Sequence, residues 1–220
     1  MSSVLEFDSV ELSFDGRRIL SGVYMQCRKG EVVGLLGRNG SGKSSLMKVV
    51  FGTLQAEYKS VRINGISLQG DYLGRRQIAY LPQDKLIPPY VSLRTAFSLF
   101  AVDANEIIAA VPEVSDYVEY KPNELSGGWL RLIETLLILH SPATFCFLDE
   151  PFTGLMPIHI ETIKGVIARI RHRKGILISD HMHRHVTEVS DRIYVLTNGR
   201  TVEIKDRGQL VELGYLHSVD

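Results

Sequence analysis

The chain has 220 residues, 45% of them hydrophobic and 23% charged, with 25 Lys and Arg against 25 Asp and Glu. That length buries a sizeable core without disulfides or structural metals, and a net charge of zero lacks the basic excess that neutralises nucleic-acid phosphates. The longest apolar runs, such as Val32 to Leu36 and Ala143 to Leu148, fall far short of the ~20 residues that cross a bilayer, and the opening residues lack the basic cluster and apolar stretch of a signal peptide. A cytoplasmic protein with no membrane span of its own, no nucleic-acid partner and two buried reduced thiols, Cys27 and Cys146, is expected.

In chain order, Val4 to Phe7, Val10 to Phe14 and Ile19 to Cys27 read as short strands broken by turn residues such as Asp15-Gly16, an N-terminal antiparallel β region. Glu31 to Leu36 is an apolar β run that ends in glycines, and Lys43 to Phe51 carries helix formers up to Gly52. Ser60 to Ile63 with Asn64-Gly65 reads as a hairpin, and Gln77 to Leu81 as a strand stopped by Pro82. From about 88 to 140 the period becomes helical, with segments near Ser92 to Phe100, Ala104 to Val111 and Trp129 to Leu139, a small helical lobe. Thr144 to Leu148 is again strand-like, followed by a helix from Pro157 to about Arg173, a strand at Ile176 to Ser179 and a helix near His183 to Val189. Ile193 to Thr197 and Thr201 to Ile204 form a hairpin around Asn198-Gly199, and a last helix starts near Asp206. Alternating strands and helices predict a single α/β domain over 1–220 with a mostly parallel sheet.

Gly37-Arg38-Asn39-Gly40-Ser41-Gly42-Lys43-Ser44 fits G-x-x-x-x-G-K-[ST] between a predicted strand and helix. Glycines let successive backbone N–H groups face phosphate oxygens, Lys43 reaches the outer phosphates, and the Ser44 hydroxyl suits Mg²⁺. A nucleoside triphosphate is the expected ligand, which makes the chain a P-loop NTPase. Phe145 to Glu150 then supplies two acids at the end of a buried strand, Asp149 for the metal and Glu150 as a carboxylate able to polarise the attacking water. The Asn-Lys-x-Asp sequence with which GTPases read their base is absent.

Three further segments carry a family resemblance: Leu125-Ser126-Gly127-Gly128 ahead of a helix, Gln83 after the strand in Tyr80-Leu81-Pro82-Gln83, and His181 closing Ile178-Ser179-Asp180-His181. In this order they resemble the signature, Q-loop and switch histidine of ATP-binding cassette (ABC) ATPases, over nearly the whole chain. The resemblance implies ATP and Mg²⁺ as cofactors. It places nucleotide contacts at Phe14, where the family stacks an aromatic ring on adenine, at Gly37, Arg38, Asn39, Gly40, Ser41, Gly42, Lys43, Ser44 and Ser45, and at Ser126, Gly127 and Gly128. Metal contacts fall to Ser44, Gln83 and Asp149, and catalytic roles to Glu150, His181, Lys43 and Gln83. In the family the signature reaches the nucleotide held by the opposite subunit, so the resemblance also implies a dimer, expected here as a homodimer, with two composite sites. A metal site on His181-Met182-His183-Arg184-His185 is disfavoured, since a helix starting after His181 separates the imidazoles.

Two positions depart from the family pattern. Trp129 follows the signature where Gln or Glu is usual, and Met156 replaces the aspartate of the loop after the catalytic glutamate. Both fall where the dimer closes, which puts turnover or communication between sites in question against simple packing on a partner surface. Only positions 84 to 124 separate Gln83 from Leu125, too short for the coiled-coil arms of chromosome-maintenance relatives. The chain therefore resembles the detached ATPase subunit of a transporter, held at the inner face of the membrane through separate transmembrane permease subunits. Pro151 to Ile158, Ile178 to His181 and Gly214-Tyr215-Leu216 most resemble the branch that powers lipopolysaccharide export and branched-chain amino-acid uptake. Two other readings stay open at this level: a soluble ABC ATPase that acts on a cytosolic complex, and a slow, ATP-gated regulatory dimer.

Overall fold

A computed structural model describes residues 3–68 and 77–215; Leu216, the last residue of the closing Gly214-Tyr215-Leu216 resemblance, lies outside them. Two sheets organise the chain. The smaller is antiparallel and built mainly from β1 (Val4–Phe14) and β2 (Arg17–Arg28), extended by β4 (Tyr58–Ile63) and β5 (Ile66–Ser67) in the order β2-β1-β4-β5. The larger combines β3 (Val32–Leu36), β6 (Ile78–Leu81), β7 (Phe145–Asp149), β8 (Gly175–Ser179), β9 (Arg192–Thr197) and β10 (Arg200–Ile204) in the order β10-β9-β3-β8-β7-β6. Within it only the β9–β10 hairpin is antiparallel.

The pattern of burial follows from this layering. Every residue of β3, β7 and β8 is buried, as expected of parallel strands covered on both faces. Alternate side chains divide between two cores: Val33, Leu35, Phe145, Phe147 and Leu177 pack toward α1 (Lys43–Phe51) and the antiparallel sheet. Val32, Leu36, Cys146, Leu148, Ile176 and Ile178 pack toward the opposite helices. Those helices are α2 (Leu93–Leu99), α3 (Ala104–Ala110), α4 (Gly127–His140), α5 (Pro157–Ile170) and α6 (His183–Val189), followed by α7 (Arg207–Glu212). The starts of four are written in the sequence, because Ser92, Asp103, Ser126 and Asp206 each accept a backbone N–H of the first turn.

Two expectations change in detail. The segments Val4 to Phe7 and Val10 to Phe14 form one strand rather than two, since Ser9 adopts a φ of 53° and the register against β2 shifts between Phe7 and Val10 without ending the pairing. The helix expected to reach Arg173 ends at Ile170 and tightens into a 3₁₀ turn over Arg171–Arg173. Cys27 and Cys146 are both buried and free, and burial raises both thiols above their ordinary value. No helix among the described residues is long and apolar enough to cross a membrane.

Candidate functional site

The phosphate loop joins β3 to α1 across the C-terminal edge of the parallel sheet, the position that sheet topology reserves for ligands. Gly42 has φ 104° at the start of α1, a backbone state open to glycine and strained for other residues. Lys43 folds back over the loop, its Nζ donating to Gly37 O at 2.7 Å and Arg38 O at 3.2 Å. Burial holds the ammonium below its ordinary pKa, while Asp149, Glu150 and Asp180 pull it back up. The side chain of Ser41 buries an Oγ without a hydrogen-bond partner among the described residues. Arg17, Arg18 and Ile19 from the start of β2 meet Arg38, Asn39, Gly40 and Ser41 around a cleft of about 460 Å³. Phe14, at the end of β1, is 45% exposed and belongs to neither core, which leaves its ring available to a ligand.

Asp149 and Glu150 close β7 and have opposite surroundings. Asp149 is buried; Oδ2 accepts from Tyr80 Oη at 3.1 Å, and Oδ1 has no partner among the described residues. Burial raises its carboxyl above the ordinary value, offset in part by the Ser44 and Tyr80 hydroxyls. An orphaned carboxylate oxygen beside the Ser44 hydroxyl fits a hard divalent cation bound with nucleotide phosphates, so Ser44 and Asp149 suit Mg²⁺ on chemical grounds.

Glu150 reaches instead into the gap between elements. Its Oε1 accepts from Gln83 Nε2 at 2.7 Å, its Oε2 accepts from Thr153 Oγ1 at 3.3 Å, and His181 Nδ1 lies 3.8 Å from Oε2 and 3.4 Å from Thr153 Oγ1. Two predicted catalytic side chains, Gln83 and His181, thus converge on the carboxylate of a third, Glu150. Glu150 itself has φ 56°, the left-handed region, with its N–H on Ser179 O at 2.6 Å. Such a conformation costs a non-glycine residue about 1–3 kcal/mol and persists only where its surroundings impose it. The remaining imidazoles of the histidine run separate as expected: His183 packs on Tyr215 and His185 on Phe152. No group of three or more His, Cys, Asp and Glu suited to a metal occurs among the described residues.

The second anion site expected from the sequence falls at the start of α4. Ser126 caps the helix, its Oγ accepting from Trp129 N at 3.2 Å, and Ser126 and Gly127 are exposed. Gly128 is where the signature meets the turn after Glu150: a Cβ there would stand 2.8 Å from Gly154 O. The two departures behave differently. Trp129 packs within its own chain, between Tyr117 at 5.4 Å and His159 at 5.1 Å between ring centres. Met156 is 54% exposed and occupies the N-cap of α5, where it provides no side-chain cap and no acid follows in the first turn. Met156→Asp should therefore stabilise the nucleotide-free chain by about 1 kcal/mol, by capping α5 and meeting its dipole. A thermal unfolding midpoint that does not rise would contradict this.

Sequence reading missed four contributors. Tyr80 orients Asp149, and Thr153 links Glu150 to His181. On α4, Glu134 accepts from the backbone N–H groups of Leu86 and Ile87 at 2.7 and 3.0 Å, and Arg131 reaches the main chain of the catalytic turn. The last two carried a legible signal, an i,i+3 acid and base inside a mostly apolar stretch from Leu130 to Leu139 that holds no other charge, where isolated charges are costly.

Known proteins resemble this chain over most of its length. Residues 20–153 match the family model described as ABC transporter. The sequence is 32% identical over 218 residues to the lipopolysaccharide export system ATP-binding protein LptB of Haemophilus influenzae, covering 91% of this chain and 89% of that one. It is 28% identical over 213 residues to the high-affinity branched-chain amino acid transport ATP-binding protein BraG of Pseudomonas aeruginosa, covering 90% and 91%. A solved ATP-binding subunit of an ABC transporter superposes with a TM-score of 0.82 at 24% identity, over 96% of this chain and 94% of that one, a likeness of fold.

Proposed function

We propose a function from the premise that this chain belongs to the ABC transporter family, in the branch of the lipopolysaccharide-export and branched-chain amino-acid ATPases. The chain is an ATPase. Its role is to bind and hydrolyse ATP as the energy-supplying subunit of a transporter whose permease is a separate chain. The observation that supports hydrolysis most directly is the convergence of Gln83, Thr153 and His181 on Glu150.

In this reading the phosphate loop and Lys43 hold the ATP phosphates, and Phe14 meets the base. Lys43 exchanges the Gly37 and Arg38 carbonyls for phosphate oxygens, which relieves a cation that burial disfavours. Ser44, Asp149 and Gln83 would hold Mg²⁺, which when bound would neutralise charge on the outer phosphates. Glu150 accepts the proton of the attacking water. Gln83 and Thr153 keep its carboxylate oriented, and His181 stands ready to donate to the γ-phosphate. Ser126, Gly127 and Gly128 cover the nucleotide of a second copy, so two chains close head to tail around two ATP and reopen after hydrolysis. Met156 faces that closure without the acceptor oxygens of an aspartate. Met156→Asp is accordingly expected to hydrolyse ATP faster than the wild type.

The permease would seat in the groove of about 450 Å³ lined by Phe51, Tyr80, Pro82, Leu86, Leu99 and Phe100, where the helical lobe meets the sheet. Leu99 is 63% exposed there, an apolar anchor awaiting a partner. Docking at this groove would hold the chain at the inner face of the membrane. Leu99→Glu should leave basal turnover unchanged and abolish the increase in turnover on reconstitution with the permease. An increase equal to that of the wild type would place the permease elsewhere.

A further inference from the structure

Arg131 lies on the first turns of α4, five residues after Ser126, and is 8% exposed. Its guanidinium is spent on main-chain carbonyls; among the described residues the nearest carboxylate oxygen, Glu134 Oε2, lies 3.9 Å from Nη1. Nη1 donates to Pro82 O at 2.7 Å, Nε and Nη2 donate to Glu150 O at 3.1 and 3.0 Å, and Nη2 also donates to Asp149 O. The Asp149 and Glu150 carbonyls belong to the two peptide planes on either side of the Glu150 α-carbon. Holding both planes fixes the left-handed backbone that aims the Glu150 carboxylate. The Pro82 carbonyl belongs to the peptide that leads into Gln83, the residue donating to Glu150 Oε1. The guanidinium thus grips the root of the base and the root of its partner together.

We propose that Arg131 is a positioning residue for hydrolysis, setting Glu150 and Gln83 in register from the helix that Ser126, Gly127 and Gly128 begin. The role rests on the reading of Glu150 as the base. Its geometry needs arginine, because a planar fork of donors serves separate carbonyls at once, whereas a lysine ammonium is one point on a flexible stem. Glu134, one turn further along α4, holds Leu86 and Ile87 by their N–H groups, so the helix grips the Q-loop at a second place. Contact between the signature of one copy and the nucleotide of another would therefore be transmitted by a rigid helix to the carboxylate of its own chain.

The test uses the full chain, with steady-state ATP hydrolysis and equilibrium ATP binding measured side by side. Arg131→Lys should lower kcat about tenfold, with KM and the Kd for ATP changed by less than about twofold. Arg131→Gln, which retains donors for one carbonyl segment, should show the same split. In a Glu150→Gln background Arg131→Lys should add no further loss, because it acts through the carboxylate already removed. Wild-type kcat in either single variant, loss of ATP binding or of the folded state in both, or an additive loss in the double variant would overturn the proposal. Wild-type turnover in Glu150→Gln alone would overturn the reading of the base instead, so the two failures are distinct.

Discussion

Glu150→Gln is expected to lower ATP turnover at least about 100-fold and to leave the chain as an ATP-bound dimer stable to size exclusion, since a positioned general base contributes on the order of 10²- to 10⁴-fold. The substitution is close to isosteric. The amide keeps an oxygen to accept from Gln83 Nε2, and Thr153 Oγ1 can reverse its hydrogen bond to the new NH₂, so the pocket is preserved while the proton acceptor is lost. Binding and closure precede hydrolysis in the proposed mechanism, so removal of the chemical step alone should accumulate the closed state. A variant that turns over at the wild-type rate would remove Glu150 from the mechanism.

Lys43→Met should weaken ATP binding about 10- to 100-fold, the cost of a lost charge-assisted hydrogen-bonding group, and reduce turnover further because that charge also faces the outer phosphate. The fold should survive. Among the described residues the Lys43 ammonium bonds only to its own loop, at Gly37 and Arg38, and two acids around it have partners of their own: Asp180 accepts from Phe152 and Met182, and Asp149 from Tyr80. Isothermal titration with Mg·ATP beside far-UV circular dichroism checks both halves. Wild-type affinity in a folded Lys43→Met would mean that the nucleotide does not sit on this loop.

Much of the fold is readable in the sequence because its cues are local. Continuous apolar runs mark the buried parallel strands, Ser92, Asp103, Ser126 and Asp206 mark helix starts, and Asn64-Gly65 and Asn198-Gly199 mark hairpins. Where cues compete, boundaries blur. Ser9 bulges β1 without breaking it, because pairing with β2 and β4 on both sides outweighs one irregular residue. The phosphate loop, the acidic pair, Gln83 and His181 are legible because the chemistry proposed for each admits few residue types. Tyr80 and Thr153 are not, because their roles arise from proximity in space, Tyr80 meeting an acid 69 positions away; Arg131 stands out as a charge in an apolar stretch, but its partner, a carbonyl 49 positions back, does not. Trp129 shows the reverse case. A family departure that drew attention to the dimer face proves to be packed against Tyr117 and His159 of the same chain.

In the proposed mechanism one nucleotide is held between the phosphate loop of one copy and the signature of another. Asn39→Cys and Ser126→Cys, introduced on separate chains in the Glu150→Gln background, test it by cross-linking with a short bismaleimide. Both positions are exposed, and the native thiols Cys27 and Cys146 are buried, so the introduced cysteines report alone. A covalent dimer joining one chain of each kind, formed with Mg·ATP and absent without it, is the predicted result. Equal cross-linking with and without Mg·ATP, or none between the two chains under saturating Mg·ATP, would contradict it.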